Sequence, residues 1–249
     1  MDQDAGPPET GAALLAQLKA APAVTTIADV ITFMENLDAV LPANDGVKWF
    51  NRLYLLVTRA VSQGPPGGGW ADAQWLNHLD VVFAQFYFDA LARWQTAPDA
   101  VPRAWQALFE VRYQPDIERV QFALAGMNAH INHDLPLAVV QTCAELQTVP
   151  DRGSPHYADF EAVNGILSQV EPQALQYLAT GILGTVAQDL GELGHILSMW
   201  SVCTARDTAW TNAEILWEMR DLVPMRDHFL LVLDRMTGFA GRGLLIPVG

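Results

Sequence analysis

Basic residues are scarce in this chain. Of its 249 residues only 14 are Lys or Arg, against 28 Asp or Glu, and the formal charge at pH 7 is −14. Two of the basic residues are lysines, Lys19 and Lys48, and the arginines are scattered. Nucleic-acid-binding proteins neutralise phosphates with clustered basic side chains, and anionic membrane surfaces attract the same clusters. The composition therefore argues against nucleic acid and against a membrane as partners.

Cysteine is also rare, and long apolar runs are missing. Cys143 and Cys203 are too few for a disulfide scaffold and form no Cys-x-x-Cys pair, so we expect free thiols in a reducing compartment. No stretch reaches the roughly 18–20 apolar residues that a membrane span requires. The acidic segment 1–8 lacks the basic and apolar regions of a secretory signal. These absences favour a cytoplasmic protein, either a monomer or a small homo-oligomer.

The alternation of apolar and polar residues that marks strands is absent, whereas apolar residues recur at three-and-four spacing almost throughout. We predict an all-α, single-domain fold of the orthogonal or bundle-like kind, with a flexible segment at 1–9 and one helical domain at 10–249. The predicted helices cover residues 10–20, 26–42, 45–63, 70–96, 102–112, 115–146, 156–169, 172–189, 195–203, 207–222 and 225–236.

Segment 115–146 has the features of a central helix. It carries no acidic or basic residue between Arg119 and Asp134, and a helix that is apolar on nearly every side is buried. Pro136 interrupts the segment, because the proline ring clashes with the carbonyl of Asn132 and removes one backbone donor. We expect a buried central helix that is kinked at Pro136.

Five polar side chains gather in this apolar helix just before the proline. On a helical wheel His130 and Asp134 share one flank of the apolar stripe. Asn128 and Asn132 share the opposite flank, and His133 points elsewhere. The carboxylate can orient an imidazole that acts as a base, or both groups can bind a zinc or iron ion. In a third interpretation the cluster is a structural hydrogen-bond network that holds the kink in place.

Weaker signals for a metal site lie elsewhere in the chain. Glu192 and His195 form a Glu-x-x-His unit, which carboxylate-bridged di-iron bundles use twice, but a second copy is missing. A histidine and a carboxylate also pair at shorter spacing near residue 156. The second-rank candidates for metal ligands are His133, His156, Asp159, Glu192 and His195.

The segment from Gly126 to Ala138, which reads Gly-Met-Asn-Ala-His-Ile-Asn-His-Asp-Leu-Pro-Leu-Ala, resembles the hallmark of a bacterial domain-of-unknown-function family, number 5995. Later segments near residues 156–164 and 205–213 are similar to further parts of that family. The resemblance covers most of the chain and implies an all-helical single domain, but no reaction. It also implies a common pocket, lined by Asn128, His130, Asn132 and Asp134 with walls from His156, Asp159, Asn164 and Arg206.

These features predict an intracellular enzyme, a lyase, cyclase or hydrolase, that acts on a small, largely apolar molecule such as a biosynthetic intermediate. His130 would be the base or a metal ligand, and Asp134 would orient it. Asn128 and Asn132 would polarise a substrate oxygen. Two alternatives stay open: a metal-dependent hydrolase of the helical zinc phosphoesterase type, and a non-catalytic helical small-molecule-binding protein. An apolar cavity for such a molecule would draw on Trp49, Phe50, Tyr54, Phe83, Phe86 and Tyr87.

Overall fold

The computed structural model describes residues 14, 16, 18, 24–65, 68–179 and 201–247, and within 171–179 the backbone alone. These residues form helices and connecting turns, which confirms the all-α prediction. A π-helical turn, His130–Asp134, joins two of the helices, and a short 3-10 turn spans Pro98–Ala100. The α-helices are α1 Ile27–Val40, α2 Gly46–Ser62, α3 Ala73–Trp94, α4 Arg103–Phe109, α5 Arg119–Ala129, α6 Leu135–Glu145, α7 Pro155–Ala179, α8 Val202–Glu218 and α9 Val223–Leu244.

Capping side chains fix where several helices begin. The predicted capping box at the start of α1 is present, with Thr26 and Asp29 bonding to each other's backbone. The predicted start of α3 at residue 70 is wrong, because the Asp72 side chain accepts a hydrogen bond from the Trp75 amide and starts the helix at residue 73. The predicted start of α8 at residue 207 is wrong for the same reason, since Ser201 caps the helix and Val202 begins it, five residues earlier than predicted.

Helices α7 and α9 are longer than predicted. Helix α7 continues through Pro172 to residue 179, so the predicted break between 169 and 172 is wrong. A proline removes one backbone hydrogen bond from a helix and bends the helix, but the helix can continue past it. Helix α9 extends to residue 244 rather than 236, and its added part packs closely against α4: a Cβ at Gly238 would lie 2.7 Å from the Arg103 carbonyl oxygen.

Several predictions fall on residues that lie outside the described part of the chain. These are the flexible segment 1–9, most of the helix at 10–20, and the parts of the predicted helices between 180 and 200. Of the helix at 10–20, Leu14, Ala16 and Leu18 are described, and all three are helical. None of the described helices is long and apolar enough to cross a membrane.

Helix α5 is the central helix, as its composition predicted. Every residue from Val120 to Ala129 is buried, and the helix lies close against α2. A Cβ at Gly126 would overlap with the Phe50 ring, and one at Gly46 would overlap with the Phe122 ring. These two glycines allow α2 and α5 to approach closely, which sets the position of the polar residues that follow α5.

Candidate functional site

The polar cluster lies on a π-helical turn between α5 and α6. The Leu135 amide donates to the His130 carbonyl five residues earlier, so the turn contains one residue more than an α-helical turn. Pro136, the second residue of α6, has no amide to donate. The irregularity predicted at Pro136 therefore takes the form of a wide turn that spans the polar residues themselves. Such turns are frequent at functional sites.

His130 and Asp134 form a buried dyad. His130 Nδ1 lies 3.0 Å from Asp134 Oδ2, and the side chains are 0% and 1% exposed. Trp105, from α4, donates its indole N–H to the same oxygen at 2.8 Å. Burial raises the pKa of Asp134, but the hydrogen bonds from the histidines outweigh burial and hold the pKa below its usual value. Asp134 is therefore a carboxylate that fixes the imidazole of His130.

His133 joins the same carboxylate, so the prediction that it points elsewhere is wrong. Its Nδ1 lies 2.7 Å from Asp134 Oδ1, because a π-turn separates successive side chains by a smaller angle than the α-helical wheel assumes. Its Nε2 lies 3.8 Å from Asp234 Oδ1 on α9. Burial lowers the pKa of His133, but the hydrogen bond to Asp134 and the charges of both carboxylates leave it above its ordinary value.

The Nε2 atom of His130 is buried and finds no hydrogen-bond partner among the described residues. The imidazole stacks on Phe83 with a centroid distance of 3.6 Å and contacts the Tyr54 ring edge to face at 4.6 Å. Burial lowers the pKa of His130 in spite of Asp134, so the ring is neutral near pH 7. Because a neutral ring with its proton on Nδ1 can donate to Asp134, the lone pair lies on Nε2.

His130 lines a cavity between α2, α3, α5, α7 and α8. About 50 Å³ of the cavity is open to the centre of a water molecule. This volume is several times the volume that one buried water requires. Its walls are mostly aliphatic and aromatic, including Tyr54 and Phe83. The charged side chains in the wall are Asp80 and Arg206. The geometry therefore suits a small, mostly apolar molecule with one or two polar groups.

Asp80 presents a carboxyl group to the cavity one helical turn before Phe83, the residue that stacks on His130. Its Oδ2 is buried and has no hydrogen-bond partner among the described residues. Burial raises the pKa of Asp80 to about 7, against the opposing effect of the Arg206 charge. A substantial fraction of Asp80 is therefore protonated near neutral pH and can donate a proton.

Arg206 enters the cavity wall from α8, with its guanidinium held from behind. Its Nε donates to Asn164 Oδ1 and its Nη2 to the Phe160 carbonyl, both at 2.8 Å. Burial lowers the pKa of Arg206 to about 10. Arg206 and Asn164 were both implied as wall residues by the family resemblance, and the structure brings Arg206 to the cavity with Asn164 behind it.

Asn128 and Asn132 do not belong to this cavity. Asn128 Nδ2 donates to the Thr237 carbonyl at 2.9 Å, and Asn132 Nδ2 donates to Asn128 Oδ1 at 3.1 Å. They lie on the flank that the wheel predicted, and this flank faces α9. Their expected role in polarising a substrate oxygen is therefore not supported, because they tie α9 to the π-turn instead.

His156 and Asp159 also have structural contacts. His156 stacks on Trp75 and donates Nε2–H to the Val149 carbonyl at 2.9 Å. Asp159 accepts hydrogen bonds from the amides of Ala71 and Asp72 at 2.7 and 2.6 Å, which anchors the loop before α3. Neither residue lines the cavity beside His130.

The predicted metal ligands are not assembled in the described part of the chain. No three His, Cys, Asp or Glu side chains of the described residues are grouped so as to hold a metal ion. Asp134 accepts hydrogen bonds on both oxygens, from Trp105, His130 and His133. Glu192 and His195 lie outside the described residues.

Two members of the site, Trp105 and Asp80, were not among the predicted site residues. Trp105 lies on another helix, so only the folded structure brings its indole N–H to Asp134. Asp80 left a signal in the sequence: with Leu76, Phe83 and Tyr87 it follows the spacing of one helix face, which placed a carboxyl group among apolar side chains. Its neighbour His78, by contrast, bonds to Glu145 near the surface.

The comparisons with known proteins agree with the resemblance noted in the sequence. The model of the Family of unknown function (DUF5995) matches residues 27–247. No curated protein and no solved structure matches the chain. The match includes every described helix from α1 to α9 and both charged residues of the cavity wall, Asp80 and Arg206. The chain therefore belongs to this family of unknown function.

Proposed function

We propose that this protein is an intracellular enzyme that moves protons on a small, largely apolar substrate bound in the cavity beside His130. The observation that carries the proposal is the unpartnered Nε2 of His130, which is buried in an apolar wall while Nδ1 is held by Asp134. An unsatisfied buried nitrogen is unfavourable in a merely structural network. A substrate proton would satisfy it.

His130 is the general base in this proposal. Its Nε2 accepts a proton from the substrate, and the Asp134 carboxylate stabilises the imidazolium that forms. Trp105 and His133 hold that carboxylate in place through the hydrogen bonds at 2.8 and 2.7 Å. A positioned general base contributes roughly 10²–10⁴-fold to a rate.

Asp80 supplies the complementary acid. When His130 takes a proton from a carbon atom, the Asp80 carboxyl gives its proton to a carbonyl or hydroxyl oxygen of the substrate, and the Arg206 charge favours the carboxylate that results. Two groups with pKa values shifted by their surroundings are typical of acid–base sites. This pairing supports an elimination, a cyclisation or a related proton transfer over a hydrolysis.

The cell interior suits the two free cysteines, Cys143 and Cys203. The metal-dependent alternative has less support. Nε2 of His130 can bind an ion, but the described residues contain no group of three His, Cys, Asp or Glu ligands, which such a site needs. A non-catalytic binding protein with the same apolar cavity is the alternative that the experiment below separates from the enzyme.

The proposal is tested by proton exchange on small ketones. Cyclopentanone and cyclohexanone are incubated with the protein in deuterated buffer near neutral pH, and loss of the α-proton signals is followed by ¹H NMR. We expect exchange faster than in buffer, and a loss of roughly two orders of magnitude or more of the protein-dependent rate in His130→Gln. Asp134→Asn should lose part of it.

The control is His78→Gln, which removes a histidine of α3 that bonds to Glu145 and does not line the cavity. This variant should exchange the ketones as the wild type does, and circular dichroism should show that all variants fold. Binding of the ketones without exchange above the buffer rate would overturn the enzyme and favour the binding protein.

A further inference from the structure

Arg206 is a buried cation that forms no ion pair with the described part of the chain. The residue is 7% exposed, and its Nε and Nη2 atoms donate to two neutral groups, Asn164 Oδ1 and the Phe160 carbonyl. Its Cζ lies 4.1 Å from the centre of the Phe160 ring. The buried Arg112, by contrast, has the carboxylate of Asp45 as its partner. A buried guanidinium without a carboxylate is energetically costly.

The acidic groups around Arg206 compensate its charge incompletely. Those that act on it are Asp80 on α3, Glu161 on α7 and the thiol of Cys203 on α8. Glu161 is exposed, so water and salt screen its charge. Asp80 is protonated in a substantial fraction of molecules near neutral pH, because burial raises its pKa to about 7. The cavity wall therefore carries positive charge that an anion would balance.

The hydrogen-bonding capacity of Arg206 is also only partly used. Its Nη1 donates to no atom of the residues that the structure describes, whereas Nε and Nη2 are held by α7. Arg206 and Asp80 line the same cavity, and Asp80 Oδ2 is buried there without a hydrogen-bond partner in the described ranges. A guanidinium binds a carboxylate through parallel N–H donors. A protonated carboxyl group can donate one more hydrogen bond.

We infer that the molecule bound in this cavity is a small apolar carboxylic acid, whose carboxylate accepts hydrogen bonds from the Arg206 guanidinium. One guanidinium balances one negative charge, and the rest of the wall is mostly aliphatic and aromatic. A monocarboxylate fits this wall better than a phosphate, whose second charge would need a further cation. The apolar part of the acid would pack against side chains such as Tyr54 and Phe83.

This inference deepens the proposed function by naming the chemical class of the substrate, and in that sense it rests on the proposed function. A carboxylate bound near Asp80 raises the pKa of Asp80, because like charges disfavour a second ionised carboxyl group. The bound acid therefore favours the protonated form of Asp80, which is the form that donates a proton in the proposed reaction.

The test compares cyclohexanecarboxylate with cyclohexanecarboxamide, a neutral molecule of nearly the same shape. Binding of each to the full chain at pH 7 is measured by isothermal titration calorimetry. We expect the acid to bind roughly tenfold more tightly than the amide or better, and the preference to disappear in Arg206→Met. No binding of the acid, equal binding of both molecules, or a preference that survives Arg206→Met would overturn the inference.

The matched control is Arg152→Met, which removes an exposed arginine that binds Asp207 of α8 at 3.0 Å and does not line the cavity. This variant should keep the preference for the acid. Because Arg206 also ties α8 to α7, the comparison of acid and amide on the wild type tests the inference without any substitution. Inorganic phosphate that binds more tightly than the acid would overturn the inference in favour of a phosphate ligand.

The ketone exchange assay separates this inference from the proposed function. Exchange of the ketones by a protein that does not prefer the acid would overturn the inference and leave the enzyme. A preference for the acid that depends on Arg206, in a protein that exchanges no ketone above the buffer rate, would overturn the enzyme and leave a carboxylate-binding protein.

Discussion

At the scale of single residues, the site depends on one carboxylate that receives three nitrogen donors. Asp134 accepts from Trp105 and contacts both His130 and His133, at 2.7 to 3.0 Å. Because the carboxylate is 1% exposed, no water competes strongly for it. Its negative charge opposes the effect of burial on the pKa of both rings and outweighs it for His133, where this dependence can be measured.

Replacement of Asp134 by Asn removes that charge and should lower the pKa of His133 below its ordinary value. Burial alone lowers the pKa of this ring, and the interactions with Asp134 are the main opposing effect. The measurement is an NMR titration of the histidine ring nitrogens. Asp234→Asn, which removes the weaker contact at 3.8 Å, should produce a smaller decrease. An unchanged His133 titration in Asp134→Asn would contradict the contact between His133 and Asp134 as described.

Asp80 should make the protein less stable as the pH rises. Its pKa is about 7 in the folded state and near 4 when unfolded. Between these values the folded protein binds the additional proton, so the free energy of unfolding from this group is highest below pH 4 and is lost as the pH rises through 7. Asp80→Asn, which stays neutral, should reduce the loss between pH 5 and pH 8 by on the order of 2 kcal/mol.

Urea unfolding at pH 5 and pH 8 measures this difference. Asp89→Asn, a change of an exposed carboxylate on the same helix, is the control and should leave the pH dependence as it is in the wild type. If Asp80→Asn and Asp89→Asn behave alike, Asp80 is not the neutral acid that the proposed function requires.

The sequence indicated the dyad but not its surroundings. The spacing of four between His130 and Asp134 predicts one face of a helix, and the contact follows from local geometry. Asn128 and Asn132 were predicted on the correct flank of the helix. That flank contacts α9, which lies more than 100 residues later in the chain. Local periodicity carries no information about such a contact.

At the scale of helices, apolar periodicity predicts where helices lie better than where they begin. Helix α3 starts at its Asp72 cap rather than at the first apolar residue, and α7 runs through Pro172. The π-turn is a further example, because its additional residue shifts His133 onto Asp134. Caps, prolines and single inserted residues change boundaries and side-chain direction without changing the apolar pattern.

Gly126→Ala tests the close approach of α2 and α5. The added methyl group would overlap with the Phe50 ring, which also contacts the rings of Trp105 and His130. Insertion of a methyl group into such a contact costs about 1–3 kcal/mol or more. We therefore expect a lower midpoint in urea unfolding, and a changed environment of His130 in its NMR spectrum.

The matched control is Gly165→Ala in α7. A Cβ at Gly165 meets no atom within 4 Å, and alanine favours a helix over glycine by about 1 kcal/mol. This variant should be as stable as the wild type or more so. A Gly126→Ala protein that is stabilised to the same degree would show that α2 and α5 are not in close contact.

At the scale of the whole molecule, the cavity forms where helices from distant parts of the chain meet. Asp80 comes from α3, His130 from the π-turn and Arg206 from α8. Each is a single polar residue in an apolar context, and the sequence does not indicate that the three face one space. The family resemblance, which pointed to His130 and Arg206 together, was the sequence-level sign of this convergence.

A buried ion pair ties another two distant segments together. Arg112, after α4, forms a bidentate pair with Asp45, the N-cap of α2, and their side chains are 4% and 0% exposed. The Gly46 amide also donates to the Arg112 carbonyl. This connection holds the start of α2 where Gly46 meets Phe122.

Arg112→Met should be strongly destabilising, because it leaves the Asp45 carboxylate buried without its cation. The expected loss in the free energy of unfolding is about 3–5 kcal/mol. Arg59→Met, which breaks a pair with Glu35 whose side chains are 48% and 46% exposed, should cost less than about 1 kcal/mol. Urea unfolding at neutral pH compares the two variants.

The double variant Asp45→Asn/Arg112→Met completes the cycle. Once both charges are gone, no uncompensated ion is buried, so the double variant should lose less stability than the sum of the two single changes. Additive losses would mean that Arg112 acts through its packing on Phe109 and Tyr113 rather than through Asp45. A coupling of a few kcal/mol would instead establish the ion pair as the contact that positions α2, and with it Phe50 and Tyr54, against the ring of His130.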